Sequence, residues 1–376
     1  MDNLIFYFVV FGLILLFLKK GESTNNKTYI ICGYILLFLL SALRYDIGND
    51  YSGYWFYTDI LGGDFQATHS IRKVMEYSNN RFEIGFCALA CMFSFSDIAF
   101  FWISCIFSII VVTSLYITFS EFKCHFWGTL LVIITGYLFL QWDGVRQSGA
   151  LALILLSFIY AEKKNLKMFV LCIGIAVLFH KSAIFMLLAY PLQYLKMNNK
   201  LLYSLLLIGI IIYWSGILDG VVQKVSIWFS LIDGYDKYDN GNVALSIHTT
   251  FFSRIRVSLF VLLGALVIAK LDNRYDYFRN CLAIGLFIYM LGGNSLVITR
   301  IAWYFMVLLF PCLGLCMKSK LQKSAISQLI KVLVIIQLFV FSYDITTDTN
   351  TRGCVPYKSV FSDDFANHRF DVRDYK

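Results

Sequence analysis

Apolar runs, most of them roughly 16 to 23 residues long, follow one another along the chain with short polar linkers between them. A helix needs about 20 such residues to cross the hydrocarbon core of a bilayer. The pattern predicts an all-α, polytopic integral membrane protein with twelve spanning helices, at 3–18, 28–43, 98–120, 126–141, 147–162, 166–180, 182–195, 201–218, 255–270, 280–297, 300–317 and 328–343. The first run, NLIFYFVVFGLILLFL, ends on Lys19 and Lys20 without a basic leader or a small-residue cleavage site, and is expected to be a retained helix. One run breaks the rhythm. EIGFCALACMFSF, residues 83–95, has only thirteen residues, and a full crossing there would invert every later linker. It is expected to be a re-entrant or interfacial helix covered by protein.

The linkers KKGESTNNK, EFKCH, EKKNLK, KMNNK, KLDNRYDYFR and KSKLQK hold most of the lysine. Cytoplasmic loops carry the Lys/Arg excess, so these linkers fall inside and both termini outside. The outer face then owns the three larger polar regions, 44–97, 219–254 and the tail 344–376, attached to a single transmembrane domain, 1–343. Of 24 carboxylates only Glu22, Glu121, Glu162, Asp272 and Asp276 fall inside. Chemistry is therefore expected on the extracytoplasmic face. The segment SLIDGYDKYDNGNVALSIHTT, 230–250, has no helical stripe and is a candidate lid loop.

Composition narrows the class further. With 59% hydrophobic and 15% charged residues and a mean hydropathy of +0.69, the 376-residue chain leaves no stretch for a soluble domain between the spans. The net charge of +8 follows from the linker lysines and reports orientation, which removes the case for a nucleic-acid partner. Nine of the ten cysteines lie in or beside apolar runs, so no disulfide framework is expected. The pairs in CALAC and CLGLC sit on apolar segments, and no Asp-x-Asp or histidine cluster marks the outer face. No metal and no cofactor are expected.

Polar groups gather at the outer ends of the spans. LRYDIGNDYSGYW sets Arg44, Asp46 and Asp50 among Tyr51, Tyr54 and Trp55; RFEIGF carries Glu83; QWDGVRQSGA carries Trp142, Asp143, Arg146 and Gln147; LFHKSA carries His180 and Lys181; FFSRIRV carries Arg254 and Arg256; and VITRIAWYF carries Arg300. Charges held against a membrane are costly and mark function. Arginines in short outer loops run against the positive-inside rule, and guanidinium groups suit the oxygens of a phosphate. Arg146 and Arg300, with Arg254, Arg256 and Arg44, are the candidate diphosphate ligands. Asp50, Glu83, Asp143 and His180 are the candidate bases, and Tyr51, Trp55, Trp142 and Gln147 the candidate sugar contacts. Each has a structural alternative, in ion pairs for the charges and in the interfacial aromatic belt for the rings.

The ordered series RYDIGNDYSGYW, RFEIGF and VRQSGALALILLSFIYAEKKNLKMFVLCIGIAVLFHKSAIFMLLAYPL resembles the EpsG-like branch of the O-antigen and exopolysaccharide polymerases, the Wzy proteins. Arg44, Gly48, Asp50 and Tyr51 match its first element, Glu83 and Gly85 its second, Arg146 and Gln147 its third, His180, Ser182 and Ala183 its fourth, and Pro356, Tyr357 and Lys358 its tail. Ile84 replaces a common proline and Gly149 a bulkier residue, and neither change removes a charge. The resemblance implies a GT-C-like glycosyltransferase of the bacterial inner membrane. It would join undecaprenyl-diphosphate-linked repeat units at the periplasmic face without a nucleotide sugar or a metal, alongside a possible chain-length regulator. An O-antigen ligase would share this chemistry, and a glycolipid flippase or other transporter is the alternative from another class.

Overall fold

The computed structural model describes residues 2–79, 81–222, 224, 251–292, 295–318, 324–348, 351–362 and 365. The candidate lid, 230–250, lies outside the described residues. The regular elements among those residues are all helices, with no strand, and an isolated antiparallel bridge joins Arg44 to Ser359. The chain divides into two compact units, Met1–Leu153 with Leu178–His180 and Ile336–Lys376, and Ile154–Val177 with Lys181–Ile335.

The first unit begins with a helical hairpin, α1 (Asp2–Thr24) and α2 (Lys27–Ala42). Asn26 caps α2 by accepting from the Thr28 amide at 2.9 Å, which satisfies one of the orphan donors at the helix start. Helices α3 (Tyr51–Thr68), α4 (Ile71–Tyr77) and α5 (Ile84–Met92) follow. The region 44–97, read as an outer polar loop, is thus a helical layer. Tyr51, Tyr54, Trp55, Thr58, Leu61 and Gly62 form the buried stripe of α3, and that helical spacing buries an aromatic cluster against α5 and α6 (Ala99–Glu121). At about 1.5 Å per residue, α5 spans roughly 14 Å, less than half of a ~30 Å hydrocarbon core.

The expected span 126–141 is broken. Helix α7 (His125–Ile134) and helix α8 (Tyr137–Asp143) meet at a 64° bend. Gly136 sits there at φ +70°, a conformation that costs an L side chain roughly 1–2 kcal/mol. The Gln337 amide donates to the Ile134 carbonyl at 3.1 Å and satisfies an acceptor freed by the break. Helix α9 (Val145–Glu162) begins in the first unit and ends in the second, and α10 (Leu166–Phe179) returns His180 to the first.

In the second unit a 3₁₀ segment, Lys181–Tyr194, stands where an α-helical span was expected. At a rise of about 2.0 Å per residue it extends roughly 28 Å. It is followed by α11 (Asn199–Ser215), α12 (Phe251–Lys270), α13 (Asp276–Leu291), α14 (Leu296–Met306) and α15 (Leu309–Lys318). Small residues set the crossings: a Cβ on Gly264 would meet Leu286 at 2.5 Å, and one on Gly209 would meet Met290 at 2.5 Å. Helix α16 (Ala325–Thr347) starts in this unit and finishes in the first.

Among the described residues, six helices are long and apolar enough to cross a membrane, with α14 and α15 counted as one run (Ile298–Lys318), and seven if the bent α7–α8 pair is one span. Helices α2, α10 and α11 are apolar but shorter, so the twelve expected spans reduce to six or seven by this test. The protein is a multi-pass membrane protein built entirely of helices across its described residues.

Candidate functional site

Three of the sequence candidates meet in the first unit. Glu83 stands just before α5, Arg146 lies in the first turn of α9, and His180 follows the last residue of α10. Arg146 Nη1 pairs with Glu83 Oε2, and His180 Nδ1 lies 3.8 Å from the other Glu83 oxygen. All three are largely enclosed, with side chains 15%, 8% and 7% exposed. A carboxylate ahead of α5 faces the positive end of that helix, whereas a guanidinium in the first turn of α9 faces the wrong end of its dipole. Glu83 compensates that charge.

Aromatic rings complete the enclosure. The Arg146 guanidinium lies 4.9 Å from the Phe82 ring centre and 5.6 Å from that of Tyr54, and its Nε donates to the Tyr54 hydroxyl at 3.4 Å. Such ring faces hold a cation with little competition from water. Next to Arg146, the buried Gln147 amide nitrogen has no partner among the described residues. An unmet donor of this kind is costly unless something outside the chain accepts from it.

Gly85 brings the cluster together. A Cβ there would lie 2.6 Å from the Leu178 carbonyl oxygen and 3.0 Å from the Phe179 ring. Without a side chain, the start of α5 packs directly on the end of α10 and delivers His180 to Glu83. The Glu-x-Gly and Phe-His elements of the sequence are therefore two sides of one contact.

Other candidates hold the framework. Asp143 accepts from the Asp50 amide at 3.2 Å and from Arg352 at 3.2 Å, fastening the loop before α3 to the C-terminal segment. Asp50 itself is exposed just ahead of α3. Gly48, at φ +101°, passes so close that a Cβ would meet the Trp142 carbonyl at 3.1 Å. The segment 351–360 crosses this loop: Tyr45 N donates to Lys358 O, Val360 N to Leu43 O and Asn49 N to Arg352 O, at 2.9–3.1 Å. Lys358 Nζ pairs with the buried Asp46 at 3.0 Å. Arg352 and Lys358 thus enter the framework from a tail that composition alone presents as an appendage.

Arg44 is corrected from diphosphate ligand to buried structural cation. It is 2% exposed and donates to the Ser41 carbonyl and, at 3.3 Å, to Ser108 Oγ. The cavity beside it holds about 10 Å³, water-sized and far too small for a diphosphate. Burial lowers its pKa, while Tyr51 and Tyr357 oppose the shift. Burial likewise pushes the Tyr357 hydroxyl up to about 12, which keeps it a donor to the Leu40 carbonyl at 2.9 Å. Three of the four sugar candidates also change role. Tyr51 and Trp142 are core residues at 0% and 2% exposure, packed edge-on to Phe100 and tilted against Phe139, and Trp55 keeps only 5% of its surface. These rings fill the core around α3 and α8, so Tyr51 and Trp142 offer no face to a sugar.

The remaining arginines belong to the second unit. Arg254 donates to the Trp214 carbonyl at 2.9 Å, tying the start of α12 to the last turn of α11. Arg256 lies two residues further along α12, and Arg300 is half-buried on α14 one turn before the buried Tyr304, whose hydroxyl bonds Ser182 at 2.9 Å. Among the described residues, no group of three His, Cys, Asp or Glu converges as a metal site.

The EpsG family model matches residues 27–359, from the start of α2 to the tail segment that crosses the loop before α3. The chain belongs to the EpsG family. No curated protein and no solved structure matches it. EpsG membership places the chain in membrane-associated polysaccharide biosynthesis, and the Glu83–Arg146–His180 cluster, which the fold assembles from three separate motifs, is its candidate site.

Proposed function

We propose that the chain is a polysaccharide polymerase of GT-C-like architecture, an O-antigen or exopolysaccharide polymerase. It transfers a glycan from undecaprenyl diphosphate to a hydroxyl of an incoming lipid-linked repeat unit at the periplasmic face of the inner membrane. The observation that carries this reading is the enclosed Glu83–Arg146 pair with His180 beside it. The acceptor oxygen bonds to the anomeric carbon and gives its proton to a base, and the bond from that carbon to the diphosphate oxygen breaks. Negative charge grows on the diphosphate, where a guanidinium held among ring faces stabilises it electrostatically.

Arg146 is the cation for that role, and the orphan Gln147 amide donor is its neighbour. A diphosphate drawing Arg146 away from Glu83 leaves that carboxylate free to accept the proton, with His180 positioned against it. Glu83 is then the base of first choice, because Asp143 is engaged by Arg352 and the loop before α3. Loss of a positioned base costs about 10² to 10⁴ in rate. Arg300 remains a second cation candidate on chemistry alone. The reaction calls for no metal, and a chain-length regulator is a possible partner.

The test is the glycan ladder of a polymerase-null host carrying wild type, Arg146→Ala, Glu83→Gln or Arg300→Ala, at matched membrane levels. Wild type restores a ladder, and Arg146→Ala and Glu83→Gln leave a single repeat unit. A full ladder from either variant removes that residue from the mechanism. A wild type that attaches single units without elongating them is a ligase.

A further inference from the structure

Arg352 lies outside every motif that carries the site, yet it reaches the turn that carries Arg146. Its Nη1 pairs with Asp143 Oδ2 at 3.2 Å, and Asp143 Oδ1 accepts from the Asp50 amide at 3.2 Å. Both carboxylate oxygens are thereby engaged, one by the C-terminal segment and one by the start of α3. Asp143 is the last residue of α8, and only Gly144 separates it from α9, where Arg146 is the second residue. The first turn of α3 meets both ends of this turn. Asp50 receives Asp143 on its amide, its carbonyl accepts from the Tyr54 amide at 2.9 Å, and the Tyr54 hydroxyl accepts from Arg146 at 3.4 Å. Gly48 closes the join, since a Cβ there would meet Asp143 Cα at 3.0 Å. The α8–α9 turn is therefore docked on α3 at two points, and Arg352 fixes the first of them.

Exposure separates this role from a merely structural one. The Arg352 side chain is 42% exposed, and ion pairs that open contribute little to stability. Without its guanidinium, the segment 351–360 keeps its backbone bonds to the loop before α3, Gly48 N to Gly353 O and Asn49 N to Arg352 O among them, and keeps the Lys358–Asp46 pair. Asp143 is different. Its side chain is only 11% exposed, so its charge is weakly screened from its neighbours. Three residues along the chain stands Arg146, already paired with Glu83. A second carboxylate released beside that guanidinium would compete for it and repel an incoming anion.

We infer that Arg352 is a positioning residue for Arg146: it neutralises Asp143 and holds that carboxylate on α3, which keeps the Arg146 guanidinium available to a diphosphate. Arg352 itself touches no reacting atom and acts through Asp143. The identity of the ligand as a lipid diphosphate in a glycosyl transfer rests on the polymerase reading; the dependence of diphosphate affinity on Arg352 by way of Asp143 does not.

The experiment uses the full chain in detergent micelles, with undecaprenyl diphosphate as the binding probe and the intact lipid-linked unit for polymerisation kinetics. Arg352→Gln is expected to weaken probe binding and raise KM about ten-fold, with kcat within about three-fold and thermal unfolding little changed. Arg352→Lys, which keeps the charge, should recover most of the affinity. The decisive variant combines Arg352→Gln with Asp143→Asn. With no carboxylate left to restrain, affinity and KM should return to within about three-fold of wild type. A merely structural pair leaves the double variant at least as impaired as the single, and that result overturns the inference, as does an Arg352→Gln protein that binds and turns over like wild type. Should Arg352→Gln fail to fold, the double variant carries the result alone: affinity near that of wild type supports the role, and a loss of about ten-fold overturns it. A wild type that makes no polymer but binds the probe with this dependence on Arg352 and Asp143 overturns the polymerase reading and keeps the inference. A wild type that binds no undecaprenyl diphosphate, and whose KM ignores the variants, overturns the inference while its polymerisation stands.

Discussion

Gly85 carries more of the site than any charged residue around it, because it decides whether Glu83 and His180 meet. Its missing Cβ would sit 2.6 Å from a backbone oxygen, which cannot swing aside as a side chain could. Gly85→Ala is expected to cost about 1–3 kcal/mol through overpacking and to silence polymerisation. Gly63→Ala, in open space within α3, is expected to raise stability by about 0.5–1 kcal/mol. Thermal unfolding of both variants in detergent checks the pair; equal shifts would contradict it. The sequence identified Glu83, Arg146 and His180 as chemistry-bearing, but not that they share a site, since 63 residues separate the ion-paired partners. It misjudged Arg44 and Tyr51 for a physical reason. A charge or ring at the outer end of a helix carries the same pattern whether it binds a ligand or seals a loop, and only burial distinguishes the two.

At the scale of elements, the C-terminal segment acts as a strap across the loop ahead of α3. Its backbone bonds to residues 43–49 are invisible in side-chain patterning, so composition presented it as a polar tail and only the Pro356-Tyr357-Lys358 resemblance singled it out. Helix α3 was legible in principle, because its buried positions follow a helical stripe. The paired glycines and the polar positions interleaved with it obscured that stripe. The strap makes a prediction about Lys358. Its Nζ pairs with Asp46, whose side chain is 3% exposed, so Lys358→Met leaves a buried carboxylate uncompensated. Unfolding is expected to fall by on the order of 3 kcal/mol, with most of that recovered in Lys358→Met combined with Asp46→Asn. A double variant no more stable than the single would show that the strap is held by its backbone alone.

For the whole molecule, the proposed orientation comes from the positive-inside rule, which assigns the lysine-rich linkers to the inside and the Glu83–Arg146–His180 motifs to the outside. Counting spans was harder, since helices of 14 to 17 residues are apolar yet short, and α7–α8 changes direction midway. Orientation can be tested without settling that count. Phe361, 81% exposed beside the strap, and Lys164, exposed in the turn between α9 and α10, belong to opposite faces by the linker rule. Phe361→Cys and Lys164→Cys, each in a background stripped of the ten native cysteines, are treated with a maleimide that cannot cross the membrane. Cells whose outer membrane alone has been opened should label Phe361→Cys, whereas Lys164→Cys should react only after the inner membrane is breached. The reverse pattern would put the Glu83–Arg146–His180 cluster in the cytoplasm, where a nucleotide-sugar donor would become the natural substrate and the lipid-diphosphate mechanism would lose its rationale. Labelling of both from outside would mean an odd number of crossings between residues 164 and 361 is wrong, and would require one apolar element there, the 3₁₀ segment first, to lie in the membrane without crossing it.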